Sequence, residues 1–455
     1  MTKIFISLLL IINTLLTGLG ANPLNGKWQL DGIPEYTSGI LSKNVYNAGA
    51  GLASDEFGPT DEDSRMQIAS GTTLEEFGKY CDLLEESGFT NTYYDHSEGI
   101  ASASFRSGDK LVYTYFCEKN RQARIIEDNG TNSFEDFGYT YSSDEGVTVY
   151  QFDYPYQGPG EKRDQKLYST NGMMYIIRLA DNSLIVIDGG SIRQSSDKNI
   201  EECMKFMHKI TNTAEDETVR IALWYGTHGH SDHITFFYKL IGFYHTRIDL
   251  ERVMFNYPAL ELIEHDGRAD MYRERLAKLY PDVKYLKAHT GMRFDIANAQ
   301  VSVLYTHEDA VKPFSGKTPV KNANDGSVVC RITSAGKRFL VLGDINVLAQ
   351  DRIVKMYDDA SLKTDLLQAA HHLYNADTIL YAKTDAEWVL CPMSPERAHL
   401  GLLGYTSARL FYKEKQLLFA DEALYSVKME SSGLTVGIDH SDCGPYDDSS
   451  MNEIK

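Results

Sequence analysis

Nine consecutive residues constrain this chain more than any others: Tyr225-Gly226-Thr227-His228-Gly229-His230-Ser231-Asp232-His233. An apolar run, Ile221-Ala222-Leu223-Trp224, leads into them, and Ile234-Thr235-Phe236-Phe237-Tyr238 leads out. The first run has the character of a strand and the second that of a helix. Three imidazoles and a carboxylate therefore crowd a strand-to-helix turn, and these are the ligands that borderline divalent metals prefer. The strand anchors the turn, and the turn can aim all four side chains at one point.

Other acidic and imidazole side chains share that placement. Asp188 follows the apolar run Leu184–Ile187, Asp344 follows Arg338–Leu342, and His371-His372 ends the run Asp365–Ala370. Loops at one edge of a sheet converge, so residues distant in sequence meet there. A lone Gly-Asp after a strand is ordinarily a turn, and a His pair is ordinarily a surface or core feature. Their common position at strand ends is what recommends them.

A chain of 455 residues calls for about two domains. Its net charge of -19 argues against an extensive nucleic-acid surface, which depends on Lys and Arg meeting phosphates. Lys3, the apolar run Ile4–Leu16 and the small residues Gly18 to Ala21 read as an export signal over 1–20, with an uncleaved anchor as the alternative. Secretion leaves no stable membrane span. The six cysteines lie far apart in sequence; Cys203, Cys330 and Cys391 fall in apolar patterns and read as buried free thiols. Residues 21–151 read as a small α+β accessory unit. Its helix opens at Thr72 or Thr73, places Leu74, Phe77, Tyr80 and Leu84 on one face and stops at Gly88, and several strands follow. Its tyrosines read as packing residues, and it carries no nucleophile–base pair. The Tyr-, Pro- and Gly-rich stretch 152–166 reads as a linker, 167–440 as the domain that carries the chemistry, and 441–455 as a tail. Helices are expected over 197–210, 266–279, 346–357 and 407–413, between apolar strands that end with Gln416–Phe419.

From about Gln165 to Phe419 the chain resembles the metallo-β-lactamase-fold hydrolases, and within them the ComEC-type branch. The resemblance rests on His228, His230, Asp232 and His233 with Asp188, Asp344 and His371. It rests also on Gly291–Phe294, Asn324–Arg331, Gly336–Asp344 and Gln368–His372. It implies an α/β fold, the four-layer αββα sandwich, preceded here by the small α+β unit. It implies Zn²⁺ as one or two ions, or Mn²⁺. His228, His230 and Asp344 would hold one ion, and Asp232, His233 and His371 the other, with Asp344 bridging and Asp232 orienting the nucleophile. Asp188 would hydrogen-bond a ligand imidazole.

Two departures stand out. The family's further His before the serine-led strand is absent, and Ala323, Asn324 and Asp325 stand there. Asn324 could hold a water or a substrate oxygen, and His307 is a candidate replacement ligand. Leu373, followed by Tyr374, occupies the place where the ComEC-type pattern has Gly. His372 is the alternative to His371; Tyr374 and Asn375 line the pocket or pack beside it; Thr227 and Ser231 shape the turn. The remaining histidines, His208, His245, His265, His289, His399 and His440, have no ligand spacing and are expected in solvated or core roles.

The expected activity is hydrolysis by a metal-activated hydroxide. The substrate is a phosphodiester or another small phosphorylated or nucleotide molecule, or alternatively a cyclic amide, lactone or other ester. A secreted binding protein on a degenerate scaffold of the same fold is the reading from another class.

Overall fold

The computed structural model describes residues 25–48, 64–129, 145–152, 172–191, 194–258, 276, 278–314, 320, 323–374, 378–393, 415–420 and 424–440. The expected export segment, nearly all of the linker and of the polar helix at 266–279, the helix at 407–413, the tail, Asn375, His265, His399 and Cys443 lie outside them. Among the described residues no helix is long and apolar enough to cross a membrane, and five cysteines are free thiols.

Among the described residues, three sheets organise the chain. The second has nine strands, in the order Lys284–Lys287, Arg252–Phe255, Val219–Tyr225, Leu184–Asp188, Met174–Arg178, Thr148–Gln151, Leu424–Glu430 and Gly433–His440, with Ile248–Leu250 also beside Val219–Tyr225. The third has seven, in the order Arg293–Ile296, Ala299–Tyr305, Val329–Ser334, Lys337–Val341, Leu366–Gln368, Trp388–Cys391 and Gln416–Phe419. These two face each other: the Tyr175 ring meets Phe339 edge-on at 5.7 Å, and the Tyr225 hydroxyl donates to the Val328 carbonyl.

Strand alternation explains how both faces of the second sheet are used. Tyr225 points into the space between the sheets, whereas its neighbour Trp224 points outward and packs on Phe237 at 4.6 Å. Phe237 belongs to the helix Ser231–Phe243, which with the helix Asp197–Thr211 covers that outer face. The helices Val347–Met356 and Thr378–Thr384 pack on the third sheet. The layers thus run helices, sheet, sheet, helices, an α/β sandwich.

The first sheet is antiparallel and runs Ile40–Leu41, Arg65–Ser70, Gln122–Asn129, Lys110–Cys117, Ile100–Ser107 and Thr90–Ser97, with Tyr46–Asn47 also paired to Arg65–Ser70. The helix Leu74–Glu86, capped by the Thr73 hydroxyl on the Glu76 amide at 3.2 Å, covers one face. Along Lys110–Cys117, Val112 and Phe116 meet that helix, while Tyr113, Tyr115 and Cys117 enter the core of the sandwich. The tyrosines thus reach across to the other unit: Tyr93 and Arg293 hydrogen-bond, and the Tyr115 hydroxyl donates to Asp309 at 2.7 Å. Gly291, at φ +92°, lies so close that a Cβ there would stand 2.8 Å from the Ser102 Cβ.

Two sequence expectations are corrected. Thr148–Gln151, placed at the end of the accessory unit, belongs to the second sheet, between Met174–Arg178 and Leu424–Glu430. The chain's β-structure also continues beyond Phe419, as the hairpin Leu424–Glu430 with Gly433–His440. Four residues, Thr-Val-Tyr-Gln, carry no mark of the strands they pair with, and the partner decides the sheet.

Candidate metal centre

Parallel pairing brings the candidate residues together. Leu184–Asp188 and Val219–Tyr225 run side by side in one direction, so Asp188 and the His228 turn emerge at one edge. Lys337–Val341 and Leu366–Gln368 are likewise parallel, which places Asp344 beside His371 and His372. The two sheets face each other, and their edges meet at the site. Gly343, at φ +57°, allows the Asp344 loop to approach, since a Cβ there would lie 2.9 Å from that of Thr227. Ser327 accepts the Asp344 amide at 3.2 Å, and Gln368 ties the two strand ends through the Leu342 amide at 2.7 Å and the Gly343 carbonyl at 3.1 Å.

Asp188 is the buried post of the turn. Its carboxylate accepts the Thr227 amide at 2.7 Å, the Thr227 hydroxyl at 2.8 Å and His233 Nδ1 at 2.7 Å. It holds φ +56°, a conformation that a non-glycine residue keeps when its surroundings fix it. Its backbone carbonyl takes the Trp224 indole at 3.0 Å. With Nδ1 bonded to Asp188, His233 directs Nε2 toward Asp344 Oδ2, 3.2 Å away. The same Asp344 oxygen lies 3.8 Å from His228 Nε2 and 3.7 Å from His372 Nε2. His228 Nε2 is 2.9 Å from His230 Nδ1, and His372 Nε2 is 3.4 Å from Asp232 Oδ2.

The charges respond to this crowding. Burial lowers the affinity of His228 for protons, and the neighbouring imidazoles His233 and His230 lower it further. Burial acts the same way on His233 and His372, but is outweighed: Asp344 and Asp188 raise His233 well above its ordinary value, and Asp344 and Asp232 raise His372. Burial pushes the Asp344 carboxyl up, yet His233, His372 and His228 hold it well below the carboxylate range.

Among the described residues two groups of potential ligand atoms result, each within 4.8 Å: His228, His230 and Asp344, and Asp232, His233 and His372. Asp344 Oδ1, His233 Nε2 and His372 Nε2 are buried without a hydrogen-bond partner among the described residues. Buried polar atoms are nearly always satisfied. Three convergent exceptions, of ligand chemistry and beside a carboxylate, fit a divalent cation.

Two ligand expectations are corrected by this geometry. His372, not His371, stands with Asp232 and His233. Residues 371 to 373 all have left-handed φ, +51°, +49° and +67°, so the two imidazoles diverge, and the Pro392 carbonyl fixes His372 through Nδ1 at 2.7 Å. Leu373 thus occupies a conformation that glycine would take freely, with its side chain buried. His371 Nε2 lies 4.0 Å from Asp344 and 3.3 Å from the Asn324 amide nitrogen, and its ring leans on Tyr374. His307 joins neither group: its Nε2 is bonded to Asn256 at 2.8 Å and its Nδ1 to Tyr46 at 3.1 Å.

Sequence reasoning missed Ser327, Gln368 and Pro392 as supports. Ser327 and Gln368 lie in Asn324–Arg331 and Gln368–His372, two of the stretches that carry the resemblance, which was the available signal. Pro392 acts through a carbonyl and leaves none. His208, bonded to Thr213 at 2.9 Å, and His289, buried among charges, lie outside the two groups.

No protein-family model matches the sequence, and no curated protein matches it. Solved structures are similar at low identity. The metallo-β-lactamase-fold protein YhfI from Bacillus subtilis is 13% identical, with 64% of this chain and 99% of that one covered at a TM-score of 0.35. A diphosphatase of the PhnP family is 14% identical, with 62% and 98% covered at 0.35. Zn²⁺-bound PqqB from Methylobacterium extorquens is 12% identical, with 49% and 71% covered at 0.29.

Proposed function

We propose that this chain is an exported metal-dependent hydrolase of phosphodiesters or other small phosphorylated molecules. The observation that carries the reading is Asp344. One buried carboxylate oxygen stands within reach of imidazoles from both ligand groups, while the second oxygen has no hydrogen-bond partner among the described residues. His228, His230 and Asp344 would hold one Zn²⁺ or Mn²⁺, and Asp232, His233 and His372 a second, with Asp344 shared. Such an ion lowers the pKa of bound water and polarises a substrate oxygen. Asp188 fixes the His233 tautomer so that Nε2 is the ligand atom. Asp232 lies on the first turn of the Ser231–Phe243 helix, is partly exposed, and can orient water.

The phosphodiester assignment is supported by a site with one imidazole fewer than the family pattern and by the ComEC-type stretches. A net charge of -19 favours a small substrate over a long nucleic acid. The apolar segment at 4–16 supports export.

Elemental analysis combined with assays on bis-p-nitrophenyl phosphate, single-stranded DNA and a chromogenic β-lactam tests the proposal. The expected result is at least one divalent ion per chain and turnover of the phosphodiester, both lost in His228→Ala and Asp344→Ala. Metal below one equivalent and unchanged by these substitutions would leave a binding protein on a hydrolase scaffold. Turnover of the β-lactam alone would move the assignment to cyclic amides.

A further inference from the structure

We propose that Asn324, held in place by His371, binds a phosphoryl oxygen of the substrate beside the ligand groups rather than within them. This rests on the hydrolase reading above. Asn324 is 7% exposed and begins the short turn Asn324–Gly326, which is fixed on several sides. The Ser327 amide donates to its carbonyl at 3.0 Å, and the Tyr305 hydroxyl donates to the Asp325 carbonyl at 3.1 Å. Gly326 is pressed against Pro258, so that a Cβ there would lie 2.4 Å from its ring. Three residues on, Ser327 holds the Asp344 amide. The turn therefore cannot shift without moving the shared carboxylate.

Within this rigid frame the Asn324 amide is half used. Its Nδ2 lies 3.3 Å from His371 Nε2, while its Oδ1 is buried with no hydrogen-bond partner among the described residues. The amide oxygen and nitrogen can exchange places by a half-turn, and the imidazole can change tautomer to match. In that arrangement His371 Nε2–H donates to Oδ1, and the Nδ2 donor takes the unmatched position. Either way one buried amide atom is left for a ligand. A phosphoryl oxygen accepts hydrogen bonds and selects the donor arrangement.

His371 is placed to serve this purpose. Its backbone amide is tied to the Gly343 carbonyl at 3.0 Å, and its neighbour His372 fills the ligand position. An imidazole in place of Asn324 would compete for metal, and a carboxylate would repel phosphate. A neutral amide does neither. Asn324 is thus the substrate contact, and His371 is a positioning residue that acts through it.

The test uses the full chain loaded with Zn²⁺ and compares wild type with Asn324→Ala, Asn324→Asp, His371→Ala and His372→Ala. It reads metal per chain, affinity for inorganic phosphate, kcat/KM on bis-p-nitrophenyl phosphate, and Tm. Asn324→Ala and His371→Ala should keep the wild-type metal content and weaken phosphate binding by about ten- to a hundredfold, the worth of one hydrogen bond to a charged group. Asn324→Asp, which keeps the shape, should weaken it further, and His372→Ala should lose metal. Loss of metal from Asn324→Ala or His371→Ala, or wild-type phosphate affinity in Asn324→Ala, overturns the proposal. A wild type that binds no phosphate overturns it together with the phosphoryl reading. Phosphate binding that depends on Asn324, without turnover of any phosphodiester, upholds the subsite and overturns the hydrolase.

Discussion

Removing one buried charge, by Asp128→Asn, should destabilise all three sheets together. Asp128 lies on the first-sheet strand Gln122–Asn129, and its carboxylate takes Lys287 Nζ at 2.6 Å and His289 Nε2 at 2.7 Å, with the Ser64 hydroxyl also bonded. Lys287 ends a strand of the second sheet. On its other side His289 is bonded to Glu308 at 2.9 Å, in the short helix that follows the third-sheet strand Ala299–Tyr305. Two carboxylates and two cations thus balance where the three sheets meet. Asparagine keeps the shape but takes from Lys287, 3% exposed, the carboxylate charge that pairs with it at 2.6 Å. Breaking a buried pair from one side costs about 3–5 kcal/mol. His289 can release its proton and Asn can still accept one hydrogen bond, so about 3 kcal/mol, the low end of that range, is expected.

Urea unfolding measures the total, and mass-spectrometric hydrogen exchange on 122–129 and 299–305 reads the first and third sheets separately. Both segments should lose protection in step. The double variant Asp128→Asn/Lys287→Met should recover part of the loss, because it removes the ammonium that has lost this carboxylate. A loss below about 1 kcal/mol, or opening of the first sheet alone, would refute the view that this cluster locks the sheets into one unit.

Two further perturbations have defined outcomes. The same junction predicts a pH window for stability. Glu308 and Asp128 outweigh burial and push His289 up to about 9, whereas burial pulls His307 down to about 4. Against an unfolded value of about 6.5, His289 contributes stability that is full below about 6.5 and lost as pH rises through 9. His307, buried neutral, contributes stability that is full above about 6.5 and lost as pH falls through 4. Each limb is worth at most roughly 3 kcal/mol; His307→Gln should flatten the acid limb of a pH–Tm curve and leave the alkaline limb, and an unchanged acid limb would contradict the assignment. At the site, Asp188→Asn cannot accept from both the Thr227 amide and His233 Nδ1, so His233 is driven to the tautomer protonated on Nε2. Zn²⁺ affinity, measured by chelator competition, should fall about ten- to a hundredfold, and a change under twofold would show that Asp188 does not set the tautomer.

The legible part of this site was its residue types and their strand-end placement. The His228 to His233 spacing and the three acidic or imidazole strand ends sufficed to gather them, because parallel neighbours must emerge at a common edge. The choice between His371 and His372 was not legible. It depends on three successive left-handed residues and a carbonyl contributed by Pro392, and sequence spacing encodes neither. The place of His307, a candidate ligand by sequence, was not legible for a similar reason: a lone imidazole is claimed by whichever buried partners the fold brings, here Tyr46 and Asn256, which lie 261 and 51 residues away. The hairpin after Phe419 was legible in principle. Tyr425, Val427 and Met429 alternate with Ser426, Lys428 and Glu430, and Leu434 and Val436 flank Thr435, around Ser431-Ser432-Gly433. The pairing of Thr148–Gln151 was not, since its partners lie on both sides of the sandwich sequence.

That pairing decides what can be removed. A chain beginning at residue 165 resembles a tidy excision of an accessory domain, yet it lacks the strand that joins Met174–Arg178 to Leu424–Glu430. The C-terminal hairpin would lose its attachment to the second sheet. Tyr113 and Tyr115 would no longer cover the sandwich core, and Lys287 and His307 would lose Asp128 and Tyr46. His307 Cβ lies where a Cβ on Gly326 would be 3.5 Å away, so its disturbance reaches the turn that carries Asn324. The truncated chain should therefore be aggregated or molten, with exposed apolar surface that binds a hydrophobic dye. A chain beginning near 145, which restores the strand but not the first sheet, should retain the hairpin and still expose the Lys287 and His289 cluster. A monodisperse truncation at 165, with full metal content and a sharp thermal transition, would refute the dependence and return the first sheet to the status of a separable module.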